Sequence, residues 1–167
     1  MKILKPVLCA ILLWTAMNLN LNAQTYSNAL GIRFGGLTSG IDGKHFINNN
    51  TAVEGILSFG SNSFLITGLY EKQQAITNAG GLQWFYGFGA HLGIFNQNGH
   101  YYYYDKNQVY VQNGGSSLAV GIDGIIGLEY KFESIPFSIG IDTKPFIDFS
   151  RGTAFFWDGG LLLRYVF

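Results

Sequence analysis

The chain has 167 residues, of which 48% are hydrophobic and 12% are charged, roughly half the charged fraction that is usual in soluble domains. Ten Lys and Arg residues balance ten Asp and Glu residues, so we expect no basic surface of the kind that binds nucleic acid. The 23 glycines follow no collagen-like period and 16% of the residues are aromatic, which excludes collagen and disordered linkers.

The first segment, residues 1–23, has the features of a secretory signal peptide. Two lysines precede an apolar stretch at residues 7–14, and Ala23 offers a small residue for cleavage. The stretch is too short to span a bilayer as a helix. We therefore expect residues 24–167 to form one exported domain. It contains no cysteine, because the single cysteine of the chain lies within the signal.

After the signal, large apolar residues alternate with small or polar ones, which is the pattern of β-strands. The predicted strands, in chain order, are residues 28–37, 41–47, 52–59, 64–72, 82–95, 118–132, 136–149 and 155–167. The segment 41–47 has the weakest pattern. The even number of strands and their lengths fit the roughly 9 to 11 residues with which a tilted strand crosses a bilayer.

The direction of the alternation separates two kinds of barrel. In a lipocalin-like barrel the apolar faces point inward and the outside is charged. Here the faces opposite the apolar ones carry glycines and a few isolated charges, which suits the narrow lumen of a small membrane barrel. The pattern predicts an all-β fold, an eight-stranded antiparallel up-and-down transmembrane β-barrel. A secreted lipocalin-like carrier of small molecules is the soluble alternative.

The connections between the strands differ in length, and this predicts which end of the barrel faces which side. Outer-membrane barrels have short periplasmic turns and longer external loops. The turns assigned to the periplasm, together with both termini, are residues 48–51, 73–81 and 133–135. The connections assigned to the outside are residues 38–40, 60–63, 96–117 and 150–154, of which 96–117 is the longest.

Aromatic residues are concentrated near both ends of the predicted strands, as in the two girdles of membrane barrels. The periplasmic set is Trp84, Tyr86, Tyr130, Phe132, Phe137 and Tyr165, and the outer set is Phe59, Phe64, Phe149, Phe155 and Trp157. The chain ends with Tyr165 and Phe167 on one face. This ending resembles the signal by which the outer-membrane assembly machinery recognises barrels.

With these strands and this ending, the chain resembles a small outer-membrane β-barrel of the OmpA/OmpX-like class of gram-negative envelopes. The resemblance covers nearly all of residues 24–167 and rests on the strand pattern and the terminal signal. It implies insertion in the outer membrane, contact with its lipid and lipopolysaccharide, and delivery by the assembly machinery. Roles known in this class include adhesion, envelope integrity, lipid modification and transport. We expect no cofactor.

Ionisable residues from most strands are predicted to face the lumen. They are Arg33, Glu54, Glu71, Asp123, Glu129, Lys131, Asp142, Lys144, Asp148, Asp158 and Arg164. They fit either a polar path for ions or small solutes, or a plug of mutually paired charges. Isolated charges in a narrow barrel are costly unless they are paired, and eight strands leave little space. We therefore predict a plug.

His91 lies on a predicted inward face among glycines. A barrel-embedded lipid-modifying enzyme would need a nucleophile, a base and an acid that converge, and the sequence shows no such set. We expect His91 to form hydrogen bonds in the lumen and expect no catalytic site, with the enzyme as an alternative. His45 and His100 show no metal-ligand spacing, so no metal site is expected.

The most unusual local feature is a run of four tyrosines in the longest predicted loop: Tyr101, Tyr102, Tyr103 and Tyr104. Clustered tyrosines offer a large amphipathic contact area, as recognition surfaces do. The run is a candidate for binding a glycan, a host surface or a partner protein. The alternative is a hairpin beyond the bilayer, whose aromatic side chains pack on each other or on lipopolysaccharide.

Overall fold

The computed structural model describes residues 26–60, 63–96, 101–105, 108–112, 116–149 and 153–167, with the backbone alone at residues 95–96, 101–105, 108–112 and 116. The predicted signal peptide, residues 1–23, lies outside the described residues. In the described part of the chain, no helix has the length and apolar character needed to span a membrane.

Eight antiparallel strands close into a barrel. They are β1 (Asn28–Gly35), β2 (Ser39–Asn48), β3 (Thr51–Gly60), β4 (Ser63–Ala75), β5 (Leu82–Asn96), β8 (Ser116–Lys131), β9 (Phe137–Asp148) and β10 (Ala154–Val166). Their order around the barrel is β1-β10-β9-β8-β5-β4-β3-β2, and pairing of β1 with β2 completes the ring. The predicted eight-stranded antiparallel barrel is confirmed.

Two further strands, β6 (Tyr101–Asp105) and β7 (Gln108–Gln112), lie between β5 and β8 in the chain and pair only with each other among the described strands. This antiparallel hairpin occupies much of the predicted connection 96–117. The segment 41–47, which had the weakest pattern, lies within the full strand β2 and pairs with both neighbours.

The two ends of the barrel differ in what they carry. One end, which we call the terminal end, holds both ends of the described chain and the connections 49–50, 76–81 and 132–136. The opposite end, which we call the loop end, holds residues 36–38 and the β6–β7 hairpin insertion. This is the grouping of connections that the sequence predicted.

Burial alternates along each strand, as a barrel wall requires. On β10, Leu163 and Tyr165 are exposed, whereas Arg164 and Val166 are buried. Each of the eight barrel strands exposes large apolar side chains on its outward face. The outer surface is therefore largely apolar, and the charged side chains of the barrel strands, except Lys72, lie on the inward face.

Outward aromatic side chains contact one another near both ends of the barrel. The ring pairs are Trp84–Tyr86, Tyr130–Phe132 and Phe137–Tyr165 at the terminal end, and Phe59–Phe64 and Phe155–Trp157 at the loop end, with centroid distances of 5.1 to 6.1 Å. They form two belts, and a further outward ring pair, Tyr70–Phe88, lies between them with centroids 5.9 Å apart.

Inward glycines make room for the side chains that fill the lumen. A Cβ at Gly160 would lie 2.7 Å from the guanidinium carbon of Arg33, and one at Gly31 would lie 2.5 Å from Cγ of Arg164. By contrast, a Cβ at the outward Gly55 would meet no atom within 4 Å. Close packing inside the barrel therefore depends on glycine at the inward positions.

Candidate functional site

The terminal half of the lumen holds six ionisable side chains that we call the terminal-end cluster. Its members are Asp42 and Lys44 from β2, Glu54 from β3, Glu71 from β4, Glu129 from β8 and Arg164 from β10. Each is at most 2% exposed. Five strands on different sides of the barrel thus meet through charged groups at its centre.

Arg164 is the hub of the terminal-end cluster. Its Nη2 lies 2.8 Å from Oε1 of Glu54 and its Nη1 lies 3.1 Å from Oε2 of Glu129, while its Nε donates to Oδ2 of Asp42. A guanidinium presents five donors in a rigid plane. One side chain can therefore bridge carboxylates from three strands, which an ammonium group would not do with comparable geometry.

Lys44 supplies the second cation of the cluster. Its Nζ lies 2.6 Å from Oε2 of Glu71 and 3.9 Å from carboxylate oxygens of Glu54 and Glu129. It also lies 4.4 Å from the ring centroid of Phe85, within the range of cation–π attraction. Four carboxylates therefore face two cations in this half of the lumen.

Neutral donors complete the surroundings of Glu129. The hydroxyls of Tyr26 and Ser138 both donate to its Oε1 at 2.6 Å, and Nε2 of Gln73 donates to its Oε2 at 3.4 Å. Tyr26 precedes β1 and covers the lumen at the terminal end. Burial, and then the nearby Glu129 carboxylate, raise the pKa of the Tyr26 phenol well above its ordinary value, so it remains a neutral hydrogen-bond donor.

Arg33, Asp142 and Asp158 form a second group, the Arg33 cluster, in the loop half of the lumen. Arg33 binds Asp142 through two parallel contacts of 2.6 and 2.9 Å, and its Nη1 lies 2.9 Å from Oδ2 of Asp158. Asp158 also accepts the Thr38 hydroxyl at 3.0 Å and the Leu37 amide at 2.9 Å. This cluster therefore fixes the connection between β1 and β2 as well as the barrel wall.

A third group, the His91 cluster, comprises His91, Asp123, Lys144 and Asp148. Asp123 lies between two of these groups, with Oδ1 at 2.8 Å from Nζ of Lys144 and Oδ2 at 2.7 Å from Nδ1 of His91. The other ring nitrogen, Nε2, lies 3.3 Å from Oδ2 of Asp148. The four groups form a row that reaches from β5 across β8 to β9.

Ten of the eleven ionisable residues predicted to face the lumen are buried in these three clusters. Lys131 differs: it is only half-buried, and its Nζ donates to the main-chain oxygens of Phe132 and Ile135 in the turn after β8. No ion pair involves it among the described residues. Alternation places Lys131 on the inward face, but it is the last residue of its strand, where turn carbonyls are within reach.

The sequence reasoning missed two members of the terminal-end cluster, Asp42 and Lys44, because segment 41–47 has so weak a pattern. Phe46, which is also buried, lies on the same inward face of β2 as Asp42 and Lys44. Aligning these three residues as one inward face would have identified both charges.

The remaining predicted residues lie outside these clusters. Tyr101, Tyr102, Tyr103 and Tyr104 form most of β6, and Tyr103 pairs with Tyr110 across the hairpin. Tyr165 and Phe167 are exposed at the terminal end, with ring centroids 5.9 Å apart.

Carboxylates dominate the described surroundings of His91. Both of its ring nitrogens face carboxylates, and no hydroxyl or thiol in the described chain forms a hydrogen bond with it. Within the same residues, no group of three or more His, Cys, Asp or Glu side chains is arranged to hold a metal ion. Charge pairing is the arrangement that the described ionisable side chains of the lumen show.

Comparison with known proteins identifies the fold. No family model and no curated protein matches the sequence. Among solved structures, the chain is similar to the N-terminal β-barrel domain of Pseudomonas aeruginosa OprF, with a TM-score of 0.61 and 12% sequence identity over 84% of this chain and 95% of that one. The likeness is one of fold, the eight-stranded antiparallel barrel that the strand pattern predicted.

Proposed function

We propose that this protein is an integral outer-membrane barrel with a structural or surface-interaction role, and that paired charges plug its lumen. The observation that carries the proposal is the inverted arrangement of its side chains. Every barrel strand exposes large apolar residues outward, and among the described barrel strands Lys72 is the one Asp, Glu, Lys or Arg on that face. In water this apolar surface would stay exposed at a cost in free energy, whereas lipid would cover it.

Both ends of the sequence support a location in the outer membrane. Residues 1–23 would direct export, and Tyr165 and Phe167 would be read by the assembly machinery. The terminal end would then lie in the periplasm, while the β6–β7 hairpin would lie at the cell surface near lipopolysaccharide. The two aromatic belts support insertion across a bilayer, because aromatic rings favour its two interfaces.

A plug is favoured over a channel because charged contacts cross the lumen in both of its halves. Arg164 joins carboxylates of β2, β3 and β8, and Arg33 joins β1 to β9. Apolar side chains, including Phe85 and Leu162, fill space between these charges. Ions would have to separate buried pairs in order to pass, and separating a buried pair is costly.

Localisation and insertion can be tested on the full chain. We expect the protein to stay in carbonate-washed outer membranes and to migrate on gels in a heat-modifiable way. Recovery in the soluble periplasmic or extracellular fraction would contradict the proposal and favour the lipocalin-like alternative.

The plug can be tested with the protein refolded into planar bilayers or liposomes. We expect no steady ion conductance and no solute-driven liposome swelling, while gel migration shows the folded form. Steady conductance by the folded protein would show that the lumen is a path for ions.

Surface interaction is a second candidate role, because the hairpin places four consecutive tyrosines on a strand outside the barrel. Removing residues 101–104 should reduce adhesion of expressing cells to glycans or host surfaces while the barrel still inserts. Unchanged adhesion would remove this role.

The enzyme alternative has its own test. It predicts altered lipid A in overexpressing cells, lost on His91→Ala. We expect the lipid A to be unchanged.

A further inference from the structure

The ladder between β8 and β9 is interrupted within the barrel wall. Asp123 pairs with Phe146, and Ile126 pairs with Thr143 in the same register. The two intervening positions of each strand form no ladder pair. They include Pro145 of β9, and a proline has no backbone N–H to donate.

The main-chain bonds beside the interruption show which bond is missing. In the same register, the Phe149 amide donates to the Val120 carbonyl at 2.9 Å. Bonded pairs recur at every second residue of an antiparallel ladder, so Gly124 lies opposite Pro145 at a bonded position. The Gly124 carbonyl oxygen therefore receives no N–H from β9.

An acceptor without a donor is costly at this place. Within a membrane, barrel backbone groups must bond to one another, because lipid offers no water to replace a missing bond. Proline is accordingly confined to edge strands, strand starts and bulges, whereas Pro145 lies within a strand that is paired on both sides. None of the hydrogen bonds between described residues outside the ladders reaches the Gly124 oxygen. This oxygen is left for a donor from outside the chain.

The outer surface is open around this carbonyl. Gly124 occupies an outward, half-buried position, and a Cβ there would meet only Pro145 within 4 Å, at 3.5 and 3.8 Å. The neighbouring Thr143 hydroxyl accepts the Trp157 indole N–H and donates to the Asp158 carbonyl at 3.4 Å. Of the two polar groups, the hydroxyl thus has partners, and the carbonyl can be reached from the lipid side.

An apolar groove of about 310 Å³ continues from this point along the outer surface toward the terminal end. It is lined mainly by Trp84, Ile126, Leu128, Ile141 and Thr143. Ile126 and Thr143 form the first ladder pair on the terminal side of the interruption, so the groove begins beside the open carbonyl. Its volume is at the lower end of the range of ligand pockets, about 300–1,000 Å³, and its apolar lining suits a stretch of acyl chain.

We propose that the interruption and the groove form a binding site for an outer-leaflet lipid whose acyl chain carries a hydroxyl near its polar end. The chain lies in the groove, and its hydroxyl donates to the Gly124 carbonyl oxygen in place of the missing Pro145 N–H. The carbonyl lies on the loop side of the groove, so the polar end of the lipid points toward the loop end. The inference rests on the proposed insertion in the outer membrane.

Two probes that differ by one hydroxyl test the site. β-Hydroxymyristic acid and myristic acid are each titrated into lipid nanodiscs that hold the refolded full chain. The NMR signals of the Leu128 and Ile141 methyls report occupancy of the groove, and that of the Gly124 carbonyl carbon reports its hydrogen bond. We expect the hydroxylated probe to bind about fivefold more tightly, as one net hydrogen bond provides, and it alone to shift the Gly124 signal. Equal binding of the two probes would overturn the site.

A substitution that supplies the missing donor tests the role of the carbonyl. In Pro145→Val the new N–H bonds to Gly124, so we expect the groove to bind both probes equally. Pro145→Ala, which supplies the same N–H, should behave alike. Pro136→Val is the matched control, because Pro136 lies in the turn before β9, and it should keep the fivefold preference. A preference that persists in the folded Pro145 variants would contradict the proposal.

Thr143→Val separates the carbonyl from the neighbouring hydroxyl. We expect the preference for β-hydroxymyristic acid to remain, because the Gly124 oxygen is unchanged. Loss of the preference would assign the contact to Thr143 and overturn the inference. Heat-modifiable migration and retention in washed membranes are measured for every protein. A chain that does not insert contradicts the proposed function as well, whereas an inserted chain without the preference contradicts this site alone.

Discussion

The two halves of the lumen pair their buried charges in different ways. In the terminal half, one connected cluster joins five strands, with Arg164 in contact with three carboxylates. In the loop half, the Arg33 cluster and the His91 cluster are smaller, and each joins three strands. The terminal half is thus built as one network, and the loop half as separate contacts.

The difference determines what one substitution does in each half. A hub with three buried partners leaves three charges without compensation when it is removed, and an uncompensated buried charge is more costly than the pair was stabilising. A cluster whose carboxylates have other donors loses less. The terminal half is therefore expected to control the stability of the barrel, while the loop half can respond to local changes.

The largest effect is expected from Arg164→Met. This change removes the guanidinium shared by Asp42, Glu54 and Glu129 and should lower the free energy of unfolding by about 3–5 kcal/mol. Urea unfolding in lipid vesicles, followed by tryptophan fluorescence and heat-modifiable migration, measures the loss.

Two further variants test the reason for the effect. Neutralising the partners in Arg164→Met/Asp42→Asn/Glu54→Gln should restore part of the lost stability, because fewer carboxylates remain unpaired. Arg164→Lys keeps the charge but not the planar donors, so we expect an intermediate value. If the triple variant is less stable than Arg164→Met, unpaired charge is not the cause.

A smaller loss is expected from Arg33→Met, about 3 kcal/mol or less, in the range of hydrogen bonds to charged groups. Asp158 keeps its bonds from Thr38 and Leu37, so one of the two carboxylates retains hydrogen-bond donors. The same urea titration measures it. A loss equal to or above that of Arg164→Met would remove the distinction between the two halves.

The sequence predicted the barrel well because a membrane barrel is encoded by a local pattern. Alternation with a period of two assigned the faces of strands such as β5 and β10 without knowledge of their partners. It also placed Glu129 and Arg164 in the lumen. Their contact could not be predicted, because they lie on non-adjacent strands and barrel closure decides which inward groups meet.

Two further differences between the sequence predictions and the structure, at Lys131 and His91, arise from contacts that alternation along one strand does not encode. Lys131 has the right alternation but reaches turn carbonyls instead of the lumen charges. The double contact of His91 depends on Gly121, whose role appears only when β5 and β8 are in register. Such arrangements arise from packing across strands and leave no pattern along one strand.

Gly160 lies next to the Arg33 cluster, and a substitution there tests how closely the guanidinium is packed. A Cβ at Gly160 meets only the Arg33 guanidinium among its nearest atoms, at 2.7 to 2.8 Å. We expect Gly160→Ala to lower the free energy of unfolding by about 1–2 kcal/mol, as overpacking does. Gly159→Ala is the matched control, because its nearest atom is the Asp142 carbonyl oxygen at an ordinary 3.7 Å.

The Gly160 effect should disappear when its target is absent. In Arg33→Met/Gly160→Ala the added methyl no longer displaces a charged group, so the two losses should not add. Urea titration of the four proteins in this cycle gives the coupling. Additive losses would mean that the cost of Gly160→Ala comes from the backbone and not from contact with the Arg33 side chain.

The smallest effect is expected from Lys131→Ala, and it marks where the terminal-end network stops. Lys131 is two residues from Glu129 on the same predicted face, but it donates to the carbonyl oxygens of Phe132 and Ile135 at the rim. Water can replace a half-buried donor at such a site, so its removal should change the free energy of unfolding by no more than about 1 kcal/mol. Glu129→Gln, on the same strand, is the comparison and should cost more, because Glu129 accepts from Arg164, Tyr26 and Ser138. Equal losses in the same urea titration would mean that the network extends to the rim of the barrel.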